Sequence, residues 1–424
     1  MRTFVDRYGA AFGRNKAMLL RMAGLYGGEQ EASGAWITDT AGRRWLDFGS
    51  FGLHLVGHRH PKVVAAAAAQ LGLMGLSGKV LGNTAATACA EALIAVTPQQ
   101  LDRVAFANTG AEAVEMSIKM AALATGRDEF MALRGSYHGK TSGALHLSDT
   151  VSGRSPLPLA APVHFVEPGD EAAARGLLAT GRIAAVFAEP VQGEGGIRPV
   201  CPAFLGFLRD ETQRNGSLLV FDEIQTGLGR CGRLWRSALD TPPDVLLTGK
   251  VLGGGLVPLA AVIYSSARIG ASSADPVVLA SSFAGGALAG AVGSAVLDLV
   301  SQHGFLEGVR TLGADARRLL SELLGGDPRI AAIRGEGLMI GLEAAEDAIA
   351  GHVVLEAAKR GVLLSFCLSN PAVLRLYPPA VISGHDLADG ITRVVDAVAA
   401  CPPARAAPLH SAPTASPVGM RERI

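Results

Sequence analysis

A chain of 424 residues, 49% hydrophobic and 18% charged, can bury a large core and is too long for one small domain. Its 38 basic and 38 acidic side chains cancel, which removes the positive footprint expected of a nucleic-acid binder. The five cysteines (Cys89, Cys201, Cys231, Cys367, Cys401) are odd in number and form no CxxC pair, which argues for a reducing, cytoplasmic setting and against a disulfide frame or zinc site.

The N-terminus scatters Arg2, Asp6, Arg7, Arg14 and Lys16 among short apolar groups and lacks the hydrophobic run of a secretory signal. Met18–Met22 reads as an amphipathic turn or two. The runs 35–39 and 44–48 flank Thr40-Ala-Gly-Arg43, a hairpin pattern. His54, His58 and His60 invite a metal. No cysteine or carboxylate nearby in sequence completes a ligand set, and Pro61 takes the position proline prefers at a helix start, so no metal is expected.

From Pro61 to about Ser301 strand-like and helix-like segments alternate, the mark of an α/β layer fold. Apolar runs at Val104–Phe106, Phe130–Leu133, Val163–Val166, Ala184–Phe187, Leu218–Phe221, Val245–Leu247 and Ala260–Tyr264 read as strands. The Gly- and Ala-rich stretch Phe283–Leu297 falls short of the roughly 18 to 20 apolar residues of a membrane span and reads as a buried helix, so no membrane partner is expected. After Leu306 a second α+β piece follows. It holds a helix with Arg317, Arg318 and Glu322, a strand in Arg334–Glu343, a helix near His352–Arg360, and strands around Val362–Phe366 and Val373–Leu376. Residues 402–424, with five prolines among Ala and Ser, read as a disordered tail.

Two apolar runs end on chemistry. Asp222 closes one and Lys250 follows the other, and ligands of parallel sheets bind beyond the carboxyl ends of strands. Lys250 sits between Thr248-Gly249 and the glycines 253–255, with no solvated helix face to decorate. Burial lowers a lysine pKa toward a nucleophilic amine, which can form a Schiff base with a carbonyl cofactor such as pyridoxal 5'-phosphate. That cofactor needs an acid partner for its ring nitrogen, and Asp222 suits the role. Asn108-Thr-Gly-Ala-Glu112 joins a strand to a helix. A phosphate could rest on the amides of Gly110 and Ala111 beside the Thr109 hydroxyl, or Thr109 and Glu112 could form a plain capping box. Tyr137-His138-Gly139 offers an aromatic face for a pyridine ring, and Glu189 and Glu194 lie in a Gly-rich turn where each needs a donor.

The run Asp222-Glu-Ile-Gln225-Thr-Gly-Leu-Gly-Arg230, followed by Thr248-Gly-Lys250 and a glycine run, resembles the class III aminotransferases (ornithine, 4-aminobutyrate and putrescine types), which use pyridoxal 5'-phosphate. The hairpin around residue 41, the Gly57–Pro61 turn, the Arg334–Glu343 stretch and Arg375-Leu-Tyr-Pro-Pro379 resemble further family segments, so the likeness spans residues 25 to 400 or so. It implies a fold type I α/β transferase: a mostly parallel sheet with helices on both faces, plus a smaller α+β domain built from both termini. The implied division is 1–60 and 304–401 for the small domain and 61–303 for the large one.

By the same resemblance Lys250 is the Schiff-base lysine, Asp222 pairs with the ring nitrogen and Gln225 reaches the ring hydroxyl. Tyr137 stacks on the ring beside His138, Glu189 lies near that network, and Thr109, Gly110 and Ala111 hold the phosphate. Ser282, where the family usually has threonine, touches the phosphate of a neighbouring subunit, which implies a homodimer with shared sites. Glu194 pairs with Arg375 and releases it for acidic substrates; a purely structural ion pair is the alternative. Lys140, Trp36 and Phe51 are placed in the substrate pocket, Lys140 standing where ornithine-type members often carry arginine. The implied reaction moves an amino group from a primary, terminal amine to a 2-oxo acid in two half-reactions. Racemases, aminomutases and decarboxylating relatives share Lys250 and Asp222 and stay open. Nucleotide binding fits less well: the GxGxxG at Gly227–Gly232 is separated from its strand end by four residues, and Gly135–Thr141 is one residue short of a P-loop.

Overall fold

The computed structural model describes residues 3–152, 161–237 and 241–403. All seven runs join one sheet, in the order Arg103–Ala107, Ala260–Tyr264, Val245–Thr248, Leu218–Asp222, Ile183–Ala188, Glu129–Leu133, Val163–Val166. The last five of these are mutually parallel, and Ala260–Tyr264 runs antiparallel to both its neighbours. Along Leu218–Asp222 the side chains alternate between two apolar clusters. Leu219 and Phe221 join Met131, Val186 and Ile263 on one face; Leu218 and Val220 join Phe130, Phe187 and Val262 on the other. With both faces covered there is no polar side to write into the sequence, which is why inner strands read as unbroken apolar runs. Burying one such side chain, Phe221 for instance, contributes about 1.5–3 kcal/mol.

The stretch read as a buried helix is helical over Ala287–Val300 and packs on Thr84–Ala95 and Pro61–Leu71. Among the described residues no helix is long and apolar enough to cross a membrane. At Gly290 an added Cβ would lie 2.6 Å from the backbone of Ala85 and Ala86, and backbone cannot retreat as a flexible side chain can. Gly290→Ala is therefore expected to destabilise the fold by about 1–3 kcal/mol, seen as a lower melting temperature. An unchanged melt would mean that the two helices separate freely.

Residues from both ends share a third cluster: Leu46 and Phe48 pack with Leu320, Leu342, Leu374 and Val394. Two small sheets frame it. The predicted hairpin forms as Trp36–Asp39 and Arg44–Asp47, extended by Glu29–Ser33 on one side and Val362–Leu363 on the other. The second sheet holds Ile330–Glu336, Met339–Ala344, Val373–Leu376 and Ser365–Phe366.

Two expectations need correction here. Arg334–Glu343 is not one strand; the chain reverses at Gly337, whose φ of +53° suits glycine, and the halves pair antiparallel. Val362–Phe366 is split, because Val362–Leu363 pairs with Arg44–Asp47 while Ser365–Phe366 pairs with Val373–Leu376, so the run passes from one sheet to the other. Nearly all of the expected disordered tail lies outside the described residues.

Candidate active site

A cavity of about 800 Å³ opens where the strands of the main sheet end. Its lining includes Asn108–Ala111 after Arg103–Ala107, Tyr137–Thr141 beyond Glu129–Leu133, Glu189 just after Ile183–Ala188, and Asp222 and Gln225 at and beyond the end of Leu218–Asp222; Lys250 lies two residues past Thr248. Thr109 caps the Gly110–Thr125 helix, its Oγ1 accepting from the Glu112 amide at 3.2 Å. Glu112 reaches back to the amide and side chain of Asn108, both at 2.9 Å, rather than to Thr109. The cap thus forms, yet the first-turn amides of Gly110 and Ala111 border the cavity, and such groups have no partner within a helix. The capping and anion-binding readings are compatible.

Lys250 opens a short 3-10 turn with φ of +22°, a left-handed value that non-glycine residues adopt at a cost of about 1–3 kcal/mol. Burial lowers its amine to about 8, with the positive charge of Arg375 acting in the same sense against the carboxylates of Glu194, Asp222 and Glu189. Asp222 is buried and doubly held: Oδ1 accepts from the Ile224 amide at 3.0 Å, and Oδ2 lies 2.7 Å from Nδ1 of His138. Burial alone would push the imidazole of His138 down; the Asp222 hydrogen bond and charge reverse this and hold it above its ordinary value. Nε2 of His138 is buried without a partner among the described residues. Glu189 accepts from the amides of Tyr137 (2.8 Å) and Gly193 (3.1 Å), and burial pushes it up to about 7.

Glu194 and Arg375 form a buried ion pair, with Glu194 also accepting from the Leu368 amide at 2.8 Å. The pair does not line the cavity. Arg375 lies between the rings of Phe51 and Tyr377, its guanidinium carbon 5.1 and 5.9 Å from their centroids, and its Nε and Nη2 have no partner among the described residues.

Besides Glu194 and Arg375, three further sequence-predicted residues do not line the cavity. The Trp36 ring lies under Arg44 and its indole N–H meets Asp386 at 3.3 Å, because its hairpin packs into the third cluster. Phe51 stays half-exposed above Arg375. Ser282, expected at the partner's site, is exposed and does not line the cavity of its own chain, whereas Ser281 Oγ accepts from the Asn108 side chain at 3.0 Å. Lys140 does line the cavity. Three contributors were missed. Leu256–Leu259 form an apolar wall. Tyr377 donates to Gln225 Oε1 at 2.6 Å. His54 was weighed only as a ligand. It lines the cavity, stacks on His58 at 3.7 Å, and burial lowers it to about 4. A carboxylate does reach this group, since Asp47 lies 2.7 Å from Nε2 of His58, although no metal-binding cluster occurs among the described residues.

The family sequence model described as Aminotransferase class-III matches residues 27–398. This chain belongs to the class III aminotransferases. It is 35% identical to the acetylornithine aminotransferase of Mycolicibacterium smegmatis, covering 85% of this chain and 90% of that one. With the acetylornithine aminotransferase of Methanosarcina acetivorans the identity is 34%, over 84% and 88%. Among solved structures, the ornithine aminotransferase of Toxoplasma gondii, crystallised with partial occupancy of PLP at its active site, superposes with a TM-score of 0.81 at 30% identity, over 89% of this chain and 90% of that one. As a class III aminotransferase the enzyme depends on pyridoxal 5'-phosphate and passes an amino group to a 2-oxo acid.

The residues present fit that cofactor. The cavity floor is kept low by glycine: a Cβ at Gly110 would come within 2.8 Å of Ile224, and one at Gly139 within 2.7 Å of Ala111. An amine, a carboxylate and helix-start amides share the space they leave.

Proposed function

We propose that this enzyme uses Lys250 and Asp222 as its catalytic pair and takes a terminal amine, that of an ω-amino acid or diamine, as donor. The observation that carries the reading is a lysine amine lowered to about 8 in one cavity with Asp222 and the Gly110–Ala111 helix start. When bound, the cofactor supplies an aldehyde for amine capture and a cationic ring that draws electrons from the donor carbon. Asp222, fixed by Ile224 and His138, would keep the ring nitrogen protonated. Tyr137 would cover the ring and Gln225 would meet its hydroxyl oxygen, while Glu189 holds the amides of Tyr137 and Gly193. Thr109, Gly110 and Ala111 hold the phosphate. Lys250, as a neutral amine, would serve as the base that takes a proton from the donor carbon and then, as an acid, as the group that gives it back.

Lys140, an exposed residue of a lining that also holds Leu53, Leu256 and Val257, suits a carboxylate on an aliphatic chain. Arg375, whose Nε and Nη2 have no partner among the described residues, suits the second acid of a dicarboxylic 2-oxo acid once Glu194 swings aside. The terminal-amine donor is in keeping with the acetylornithine and ornithine aminotransferases to which the chain is similar. A homodimer supplies Ser282 to the partner's phosphate. Its support is an exposed apolar set around that loop (Leu73, Leu76, Val80, Leu81, Val277, Phe283), braced where Lys79 donates to the Ser281 and Ala284 carbonyls. A cytoplasmic site agrees with five free cysteines.

Borohydride reduction of the cofactor-saturated protein tests the central claim and is expected to leave a pyridoxyl mark on Lys250 and nowhere else. Capture of cofactor by the apoprotein carries a pH signature as well. Only the neutral amine attacks, so the rate should climb with pH through a midpoint near 8 and level off above it. A midpoint near that of a free lysine would contradict the buried amine.

A further inference from the structure

Gln225 is gripped from behind by a residue that does not line the cavity. Its Oε1 accepts from the Tyr377 hydroxyl at 2.6 Å. The Tyr377 ring is buried and tightly bounded. Its backbone amide donates to the Phe48 carbonyl at 2.8 Å, the guanidinium carbons of Arg230 and Arg375 lie 5.4 and 5.9 Å from its centroid, and Gly52 is so close that an added Cβ would sit 3.3 Å from it. A ring so enclosed makes its hydroxyl a stationary donor.

A primary amide has two ends of nearly equal shape and opposite polarity. If the Gln225 amide were reversed, the Tyr377 oxygen could accept an N–H, but its own proton would be buried without an acceptor, which costs about 1–3 kcal/mol. Among the described residues the Gln225 oxygen is the acceptor that this proton has. Burial also raises the Tyr377 hydroxyl well above its ordinary value, so it keeps that proton across the working range.

We propose that Tyr377 is a positioning residue: it holds the Gln225 amide with Nε2 directed into the cavity, so that the amide meets the cofactor's ring hydroxyl as a donor. The proposal rests on the reading that Gln225 faces that oxygen. A donor there stabilises the oxygen as an anion and competes for its lone pairs with the proton on the nitrogen of Lys250. Loss of the donor leaves that proton held more tightly, and the pKa of the bound chromophore rises.

The test is a spectrophotometric pH titration of the holoenzyme. Tyr377→Phe, which deletes one oxygen and keeps the ring, is expected to shift the titration upward by roughly one unit. Gln225→Ala should shift it at least as far, and adding Tyr377→Phe to Gln225→Ala should change nothing more, because the tyrosine acts through the amide. If Gln225→Ala shifts the curve while Tyr377→Phe leaves it in place, or if the double variant shifts further, the role given to Tyr377 is wrong and the reading of Gln225 stands. If Gln225→Ala itself has no effect, the reading of Gln225 fails and the proposal with it. Should Tyr377→Phe melt below the assay temperature, Tyr377→Leu fills the same apolar space without a donor and takes its place.

Discussion

Replacing Lys250 with alanine is expected to lower transamination by at least about 10⁴-fold, the upper end of what one positioned acid–base group contributes. The same variant should no longer hold the cofactor covalently, so borohydride should leave no mark. Stability should not fall with activity. An amine lowered to about 8 from its usual 10.5 is disfavoured in its charged form, so below pH 8 the folded protein carries a full penalty that fades as pH rises toward 10.5. Alanine removes that penalty, and the variant is expected to melt no lower than the parent at pH 7. Turnover rates of the two proteins, and melts of both freed of cofactor, would check both halves. Activity within about tenfold of the parent would remove Lys250 from the chemistry.

Asp222→Asn is the second large effect. The amide is nearly isosteric and can still accept from Ile224, but it cannot keep a ring nitrogen protonated, so turnover should drop by about 10²–10³-fold. Cofactor should still bind, because Lys250 and the phosphate cradle are untouched; a normal absorbance spectrum with slow single-turnover kinetics is the expected signature. The effect reaches His138 too. In the parent, Asp222 raises the His138 pKa, so the pair stabilises the fold fully below about 6.5, the ordinary histidine value, and that contribution is lost as pH rises through the elevated value. The asparagine variant lacks it, and its melting deficit should be larger at acid pH than at alkaline pH. A deficit that is equal at both extremes would show that His138 is neutral throughout.

Much of this site was legible because its residues sit beside strand ends. Asp222, Glu189 and Lys250 each follow an apolar run, and burial on both faces makes such runs unbroken and easy to read. Sequence order could not show which loops converge. Trp36 stood in a family-like hairpin, yet its register opposite Leu46 turned it toward Asp386 and away from the cavity. Arg334–Glu343 read as one strand because its three glycines (Gly335, Gly337, Gly341) do not announce which of them carries the reversal.

From the order of its residues alone, the chain determined its α/β alternation, its seven core strands and the place of Asp222 and Lys250 beside strand ends, whereas Gln225 was singled out only by its likeness to a family run. Those depend on local patterning: apolar runs, a capped helix start, glycines where backbone must bend or approach. Tertiary structure alone decided that Tyr377, 152 residues beyond Gln225, would brace its amide, and that Asp47 would reach His58. It also decided that Arg375 and Glu194 would be shut beneath Phe51 and Tyr377 rather than left open on the cavity. Contacts of that kind arise only when the third cluster draws both chain ends together over the sheet, and no periodicity in either segment encodes its partner.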